Sequence, residues 1–203
     1  MPELPTLRWT HGTGRSTYDR ETAELSLRAE AGVDWINDAL GGSGNHGATL
    51  LGFPAPEGDF ALSARVEVVG ERTTFDAAVL GLWRDDDHWA KLCFEFSPPR
   101  PPAARGAAMV VSVVTDRFSD DVNSSMVAAD HVHLRIVRTG AAFAFHYSAD
   151  GISWDFVRLF RLAGSGDITV GFMSQAPTGP ACVARFSAIR LIEGAPQNLR
   201  DGS

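Results

Sequence analysis

The sequence predicts an all-β protein, a two-sheet sandwich or barrel of antiparallel strands. Short stretches in which apolar and polar residues alternate recur between residues 60 and 191, and this period of two is typical of half-buried strands. Turn-forming residues separate the stretches, as expected when each strand folds back on its neighbour. No long amphipathic helix pattern interrupts the series, so the class is all-β.

The clearest single element is a hairpin at 145–154. Aromatic and β-branched residues flank the pair Asp150-Gly151 on both sides, which suits paired strands. Asp-Gly favours a two-residue turn, because both central positions of that turn need a positive φ. We therefore predict a tight hairpin centred on this pair.

The other elements are predicted in order along the chain. The strands are 4–10, 24–29, 60–69, 76–83, 89–96, 109–115, 131–138, 142–147, 156–162, 168–173 and 183–192. Acidic 85–88 is predicted to be a turn, proline-rich 98–102 to end a strand, and polar 118–125 to be a loop. Short strands at this spacing indicate a sandwich or barrel. We expect one domain over 1–203, with its core at about 4–192 and a frayed tail at 193–203.

The composition of the chain argues against two classes of binding partner and indicates a location in the cell. The 203 residues carry a formal net charge of −7, which argues against nucleic acid and against an anionic membrane. Cys93 and Cys182 lie in apolar runs and are predicted to be buried thiols of a reduced protein. No apolar run approaches the roughly 18 residues of a transmembrane helix, and the N-terminus lacks a signal-peptide pattern. The expected location is the cytoplasm.

Strand parity predicts a polar face. Alternate residues of a strand face opposite sides, so Lys91 and Glu95 lie opposite the apolar side of 90–96. The same rule turns His133 and Arg135 of the strand 131–138, and His146 of 142–147, away from the core. We expect these groups to project into one shared hollow that suits hydroxyl-rich ligands. An ordinary solvated sheet face is the alternative.

Two further groups of polar residues can each be interpreted in more than one way. The run 119–124 concentrates hydroxyls, carboxylates and an amide, which indicates either a sugar- or cation-contacting loop or ordinary turn capping. His131 and His133 share a strand face, as zinc ligands do, but no third ligand is identifiable. Arg158 is predicted to pair with Asp150 across the hairpin or to face the ligand. We predict no metal and no cofactor.

Several strings, in order from about residue 25 to 192, resemble those of a poorly characterised domain-of-unknown-function family. They are VDW at 33–35, FDAAVLGLWR at 75–84, HWAKLCFE at 88–95, VVT at 113–115 with SDD at 119–121, YSADGISW at 147–154, and VGFM at 170–173 with APTG at 176–179. That family includes a fungal regulation-of-enolase protein and belongs to the concanavalin A-like lectin/glucanase superfamily. The resemblance implies a jelly-roll sandwich with a concave face, and carbohydrate binding as the superfamily's commonest theme.

The predicted function is binding of an oligosaccharide or other polyol in that face, and a homodimer is left open. The predicted ligand-binding residues are Trp35, Asp76, Trp83, Lys91, Glu95, Thr115, Asp120, His133, Arg135, His146 and Arg158. A glycoside hydrolase or lyase is the first alternative. Glucanases of the superfamily carry several acidic residues on one strand, whereas the strand 91–96 has only Glu95. A glycosidase needs two carboxyl groups, so the second one would come from Asp76 or Asp120. A cytoplasmic protein-interaction or regulatory module is the second alternative.

Overall fold

The computed structural model of the protein describes residues 4–10, 12–99 and 101–203. Its strands are β1 Arg8–Trp9, β2 Arg15–Asp19, β3 Glu24–Glu30, β4 Leu51–Pro54, β5 Phe60–Val69, β6 Ala77–Asp85, β7 His88–Ser97, β8 Ala107–Asp116, β9 Phe118–Met126, β10 His131–Thr139, β11 Ala142–Ser148, β12 Asp155–Phe160, β13 Thr169–Gln175 and β14 Ala181–Glu193. No helix occurs among the described residues, and none that could cross a membrane is therefore found there.

The strands form two antiparallel sheets of seven. The first sheet has the order β1-β4-β13-β6-β7-β8-β9, and the second has the order β12-β11-β10-β5-β14-β3-β2. The predicted two-sheet antiparallel sandwich is confirmed. Neighbours in the sheets are often distant in sequence, as with β5 beside β14, so long-range pairing determines which sheet receives each strand.

The core fills the space between the sheets. Its members are the apolar residues of one parity on each strand, for example Leu92 and Phe94 of β7 and Leu134 and Ile136 of β10, all of them fully buried. Phe172 of β13 meets Phe186 of β14 at a centroid distance of 5.2 Å, which joins the two sheets. Burying one such side chain stabilises the fold by about 1.5–3 kcal/mol. Cys93 and Cys182 are both buried free thiols, as predicted.

Several local predictions are wrong. Residues 118–125 form an edge strand, β9, because their polar side chains are tolerated where one side of the sheet is open to solvent. The predicted hairpin at 145–154 exists, but its strands are joined by the loop 149–154 instead of a two-residue turn. In this loop Gly151 has a φ of +75°, whereas Asp150 does not have a positive φ. The carboxylate of Asp150 instead accepts hydrogen bonds from the backbone of Ile152 and Ser153.

The ends of the chain also differ from expectation. The strand predicted at 4–10 is shorter, and β2 was not predicted. Residues 1–3, on which part of the N-terminal prediction depends, lie outside the described residues, as does Arg100 within the proline-rich stretch after β7. The tail after β14 is not frayed, because Ala195 and Leu199 pack on Ala61, Val137 and Ala144 of the second sheet.

Candidate functional site

The outer face of the first sheet, which points away from the core, carries the predicted lysine and glutamate. On β7, Lys91, Cys93 and Glu95 lie opposite the core residues Leu92 and Phe94. The pairing places Glu95 between Ala77 of β6 and Met109 of β8. Because those neighbours are apolar, the two charged groups lie in a largely hydrocarbon surface.

Lys91 is held by two partners from other elements. Its Nζ lies 2.7 Å from Asp34 Oδ1 and donates to Gln175 Oε1 at 2.9 Å. In the sheet, Gln175 pairs with Ala77 and Ala77 pairs with Glu95, so these three residues form one row across the strands. Because Lys91 reaches Gln175, its side chain extends along β7 to the row that contains Glu95. We call Asp34, Lys91, Glu95 and Gln175 the Lys91 cluster. Lys91 is only 3% exposed, and burial of an ammonium requires such pairing.

The amide of Gln175 has a fixed orientation. Its Nε2 donates to the backbone oxygen of Phe75 at 3.0 Å, so Oε1 is the atom left to receive the lysine. The Asp34 carboxylate also accepts from the backbone N–H of Trp35 at 2.7 Å. Each group that holds Lys91 is thus itself oriented by a backbone contact, which keeps the cluster rigid.

Glu95 is the group in the cluster whose ionisation is most perturbed. It is 7% exposed, and this burial raises its pKa to about 7, with Lys91 acting in the opposite direction and Asp121 and Asp34 adding to the rise. Its nearest hydrogen-bonding group is Ser97 Oγ, at 3.5 Å. Near neutral pH the side chain therefore exists in both protonation states, and it can donate or accept a hydrogen bond.

The other ionisable groups of this face respond to the same surroundings. Burial is the largest single influence on the pKa of Lys91 and acts to lower it, but the surrounding charges, Asp34 first among them, together outweigh burial, so the lysine pKa is raised. Burial raises the pKa of the Cys93 thiol well above its usual value. Asp121 on β9 is exposed, yet partial burial raises its pKa too, with Lys91 opposing. Lys91 stays charged and Cys93 stays a neutral thiol.

A segment between β3 and β4 covers part of this outer face. Trp35 is fully buried, its Nε1 donates to the backbone oxygen of Ala48 at 2.7 Å, and its ring lies 4.6 Å from Trp83 and 5.7 Å from Trp89. Asn37 ties the segment down by donating to the carbonyl oxygens of Asp86 and Arg117. Because its ring is fully buried, Trp35 offers no surface to a ligand. Trp83, by contrast, is only half-buried.

The expectation of one shared hollow is wrong. His133, Arg135 and His146 lie on the outer face of the second sheet, in β10 and β11, whereas Lys91 and Glu95 lie on the first sheet. Parity was predicted correctly within each strand, since Val132, Leu134 and Ile136 are buried in the core. The alternation of residues, however, describes only the two sides of one strand. A sandwich has two outer faces, so the alternation does not determine which of these faces a polar side chain occupies.

The tail covers the second of these faces. His146 Nε2 lies 2.7 Å from the carbonyl oxygen of Leu199, and Arg135 Nη2 donates to that of Gly202 at 3.1 Å. The Arg135 guanidinium also lies over the Trp154 ring, 4.1 Å from its centroid. Burial lowers the pKa of His146 to about 4, so the ring is neutral and donates through Nε2. These polar groups hold the tail.

The remaining predicted residues have structural partners. Asp76 Oδ2 accepts from the backbone N–H and the hydroxyl of Thr73, in the loop before β6. Thr115 is fully buried, with its hydroxyl 3.0 Å from that of Ser119. Arg158 neither pairs with Asp150 nor lies in the outer face of the first sheet. It bonds the carboxylate and the carbonyl oxygen of Asp120, which connects edge strands β9 and β12 of opposite sheets.

Sequence reasoning missed two members of the Lys91 cluster, Asp34 and Gln175, and also Asp121, whose charge acts on Glu95. One signal was available, because Lys91 is the only lysine in the sequence and all other cationic side chains of fixed charge are arginines. Asp34 belongs to the quoted string at 33–35, but its distance of 57 positions from Lys91 concealed the pairing. The carboxylates considered as partners of Glu95, Asp76 and Asp120, instead bind Thr73 and Arg158.

Residues 9–193 match the family model described as "Protein of unknown function (DUF1349)". The chain belongs to this family. Among curated proteins none matches the sequence. The matched span contains the complete Lys91 cluster and ends at the last residue of β14, so the site of this DUF1349 protein lies wholly within the family region.

Solved structures share the fold at low identity. A functionally unknown protein from Saccharomyces cerevisiae is 22% identical, with a TM-score of 0.79 over 93% of this chain and 97% of that one. A xylan beta-1,4-xylosidase from Bacillus halodurans is 16% identical, with a TM-score of 0.61 over 83% of this chain but 33% of its own. A seed lectin from Lotus tetragonolobus is 12% identical, with a TM-score of 0.53 over 96% of both chains. The lectin fits the predicted jelly-roll type of sandwich.

Proposed function

We propose that this DUF1349 protein binds a carbohydrate or similar polyol at the outer face of the first sheet, with the Lys91 cluster supplying the hydrogen bonds. The single observation that carries this proposal is a charged and amide-bearing cluster set among buried apolar residues of a sheet face. Small-molecule sites characteristically combine an apolar lining with a few convergent polar groups. A solvated sheet face would instead carry its charges in the open.

The chemistry of the cluster suits hydroxyl groups. A sugar hydroxyl both donates and accepts, so it binds best where donors and acceptors alternate. Here the ammonium of Lys91 donates, the carboxylate of Asp34 accepts, and Glu95 does either according to its protonation state. The half-buried indole of Trp83 lies at the covered end of the same face and supplies the aromatic surface that a sugar ring can contact.

The names of two fold neighbours support the same class of ligand. One neighbour is a xylan beta-1,4-xylosidase and another is a seed lectin. At identities of 16% and 12%, these neighbours support only the compatibility of the sandwich fold with sugars. The sequence resemblance to a fungal regulation-of-enolase protein stays a prediction, as do the regulatory module, the homodimer and the cytoplasmic location.

Calorimetric titration with neutral oligosaccharides, xylo-oligosaccharides among them, tests the proposal. We expect binding by the wild type and weaker binding by Glu95→Gln, which keeps the shape of the side chain but removes its ionisation. Glu57→Gln, at an exposed position before β5, is the matched control and should bind as the wild type does. Absence of binding to every oligosaccharide in the panel would overturn the proposal.

A glycoside hydrolase or lyase is the second candidate, favoured by the raised pKa of Glu95. A carboxyl group with a pKa of about 7 is suited to donate or accept a proton at neutral pH. Asp34 and Asp121 are the carboxylates whose charge acts on it, and they replace Asp76 and Asp120 as candidates for the second acid. Reducing-end release from xylan or another glycan, abolished by Glu95→Gln in a folded variant, would establish this function. Unchanged release would exclude Glu95.

A further inference from the structure

A cavity opens at the side of the sandwich, apart from the Lys91 cluster. It has a volume of about 370 Å³ and is walled by β1, β3 and the segments next to them. None of Asp34, Lys91, Glu95 and Gln175 lines it. Ligand-binding cavities usually measure about 300–1,000 Å³, so this cavity has room for a ligand the size of one sugar ring.

One wall of the cavity is aromatic, and a glycine holds it in place. Trp9 and Gly14 both line the cavity, and a Cβ on Gly14 would stand 2.5 Å from the Trp9 ring. Only glycine therefore permits the indole to lie against the chain at this point. Trp9 packs partly on the core and remains half-buried, which leaves part of the ring beside the cavity.

Another part of the cavity lining offers both donors and acceptors. Glu30 Oε1 lies 3.4 Å from Arg28 Nε and 3.6 Å from an Arg15 nitrogen, so two guanidinium groups share one carboxylate oxygen. All three residues line the cavity. The second oxygen of Glu30 and the remaining guanidinium N–H groups are free to bind a ligand, because no contact within the described part of the chain uses them.

The inner wall carries a hydroxyl with no protein partner. Thr49 lines the cavity, and its Oγ1 is buried and makes no hydrogen bond within the described part of the chain. A buried hydroxyl without a partner costs free energy, so a partner is expected from outside the chain. Ser174 Oγ, by contrast, donates to the carbonyl oxygen of Cys182 at 3.0 Å, so of these two lining residues Thr49 is the one whose hydroxyl has no protein partner.

We infer that this cavity is a second binding site, for a neutral monosaccharide-sized polyol with adjacent hydroxyl groups. One hydroxyl donates to Glu30 while its neighbour accepts from Arg28, a pairing that uses carboxylate and guanidinium as a fork. The apolar face of the sugar ring covers the indole of Trp9. Because Arg15 and Arg28 are already drawn to Glu30, the site matches a neutral polyol better than a carboxylated one.

Saturation-transfer NMR with a panel of neutral monosaccharides, with glucuronate as the anionic comparison, tests the inference. We expect transfer to a neutral sugar and a Kd about tenfold higher in Glu30→Ala, which corresponds to one lost hydrogen bond to a charged group. Trp9→Phe should weaken binding as well. Glu21→Ala, an exposed glutamate in the turn before β3, is the matched control and should bind normally.

The two proposed sites are separable in this experiment. Glu95→Gln should leave monosaccharide binding unchanged, because Glu95 does not line the cavity. The inference is overturned if no monosaccharide shows transfer, if glucuronate binds better than every neutral sugar, or if Glu30→Ala binds like the wild type. It is also overturned if Glu95→Gln alone abolishes binding, a result that would support the outer face of the first sheet instead.

Discussion

Lys91 Nζ lies 2.7 Å from Asp34 Oδ1, and this contact joins β7 to the segment that covers it. Since Lys91 is 3% exposed, removal of Asp34 leaves an ammonium buried without its counterion. We expect Asp34→Ala to lower the free energy of unfolding by about 3 kcal/mol, the magnitude typical of a broken buried pair. Urea denaturation at pH 7 measures this change.

The double variant Asp34→Asn with Lys91→Met is the control for this prediction. It removes both charges at similar volume, so we expect it to be more stable than Asp34→Ala. Asp155→Ala, at an exposed position of β12, sets the scale for a surface carboxylate. A loss in Asp34→Ala no larger than that in Asp155→Ala would show that the pair does not hold the segment.

The raised pKa of Glu95 predicts a pH-dependent stability. Its pKa rises from 4.5 to about 7 on folding, so between these values the folded state binds more protons than the unfolded state. The contribution of Glu95 to stability is therefore lost as pH rises through this window. Glu95→Gln stays neutral, so it should equal the wild type near pH 4.5 and exceed it by up to about 3 kcal/mol above pH 7. A difference that does not vary with pH would contradict this account.

The strands β7 and β10 show how far sequence reasoning extends. In both strands the alternation of residues correctly identified the side that enters the core. It did not show that β7 joins the first sheet and β10 the second, because that depends on pairings such as β5 with β14, which lie far apart in sequence. The fold class follows from many local patterns, whereas the site depends on these few long-range choices.

Asp34 and Gln175 were missed for a related reason. Neither lies on a strand beside Lys91, and they are 57 and 84 positions away from it. Parity can be read only along one strand, so a cluster assembled from three separate elements leaves no periodic signal. The solitary lysine was the informative residue, because a chain that otherwise uses arginine has little reason to bury one lysine unless its compact ammonium is required.

His146 reports on the attachment of the tail. Burial lowers its pKa from 6.5 to about 4, with Arg135 acting in the same direction and the bond to Leu199 opposing. The neutral ring stabilises the fold, and this contribution is lost as pH falls from 6.5 towards 4. Removal of residues 195–203 should raise the pKa of His146 towards 6.5, as measured by NMR titration. An unchanged pKa in the truncated, folded protein would show that the tail does not bury it.

Gly202 is predicted to determine how the tail meets Arg135. Its φ is +73°, and a Cβ there would stand 2.7 Å from Trp154 Cβ and collide with the Arg135 guanidinium. Gly194→Ala is the matched control, because Gly194 has a φ of +89° but a Cβ added there would meet no atom within 4 Å. Both substitutions cost about 1 kcal/mol through backbone strain. Gly202→Ala should in addition speed amide exchange in the tail, and equal exchange in both variants would contradict the packing.

Binding of neutral oligosaccharides at the outer face of the first sheet is the central claim, and titration of wild type and Glu95→Gln in parallel is its most direct test. The expected result is saturable heat with the wild type and a Kd at least about tenfold higher for the variant, the loss of roughly one charge-assisted hydrogen bond. Equal affinity in the two folded proteins, or no heat with any oligosaccharide, would contradict it.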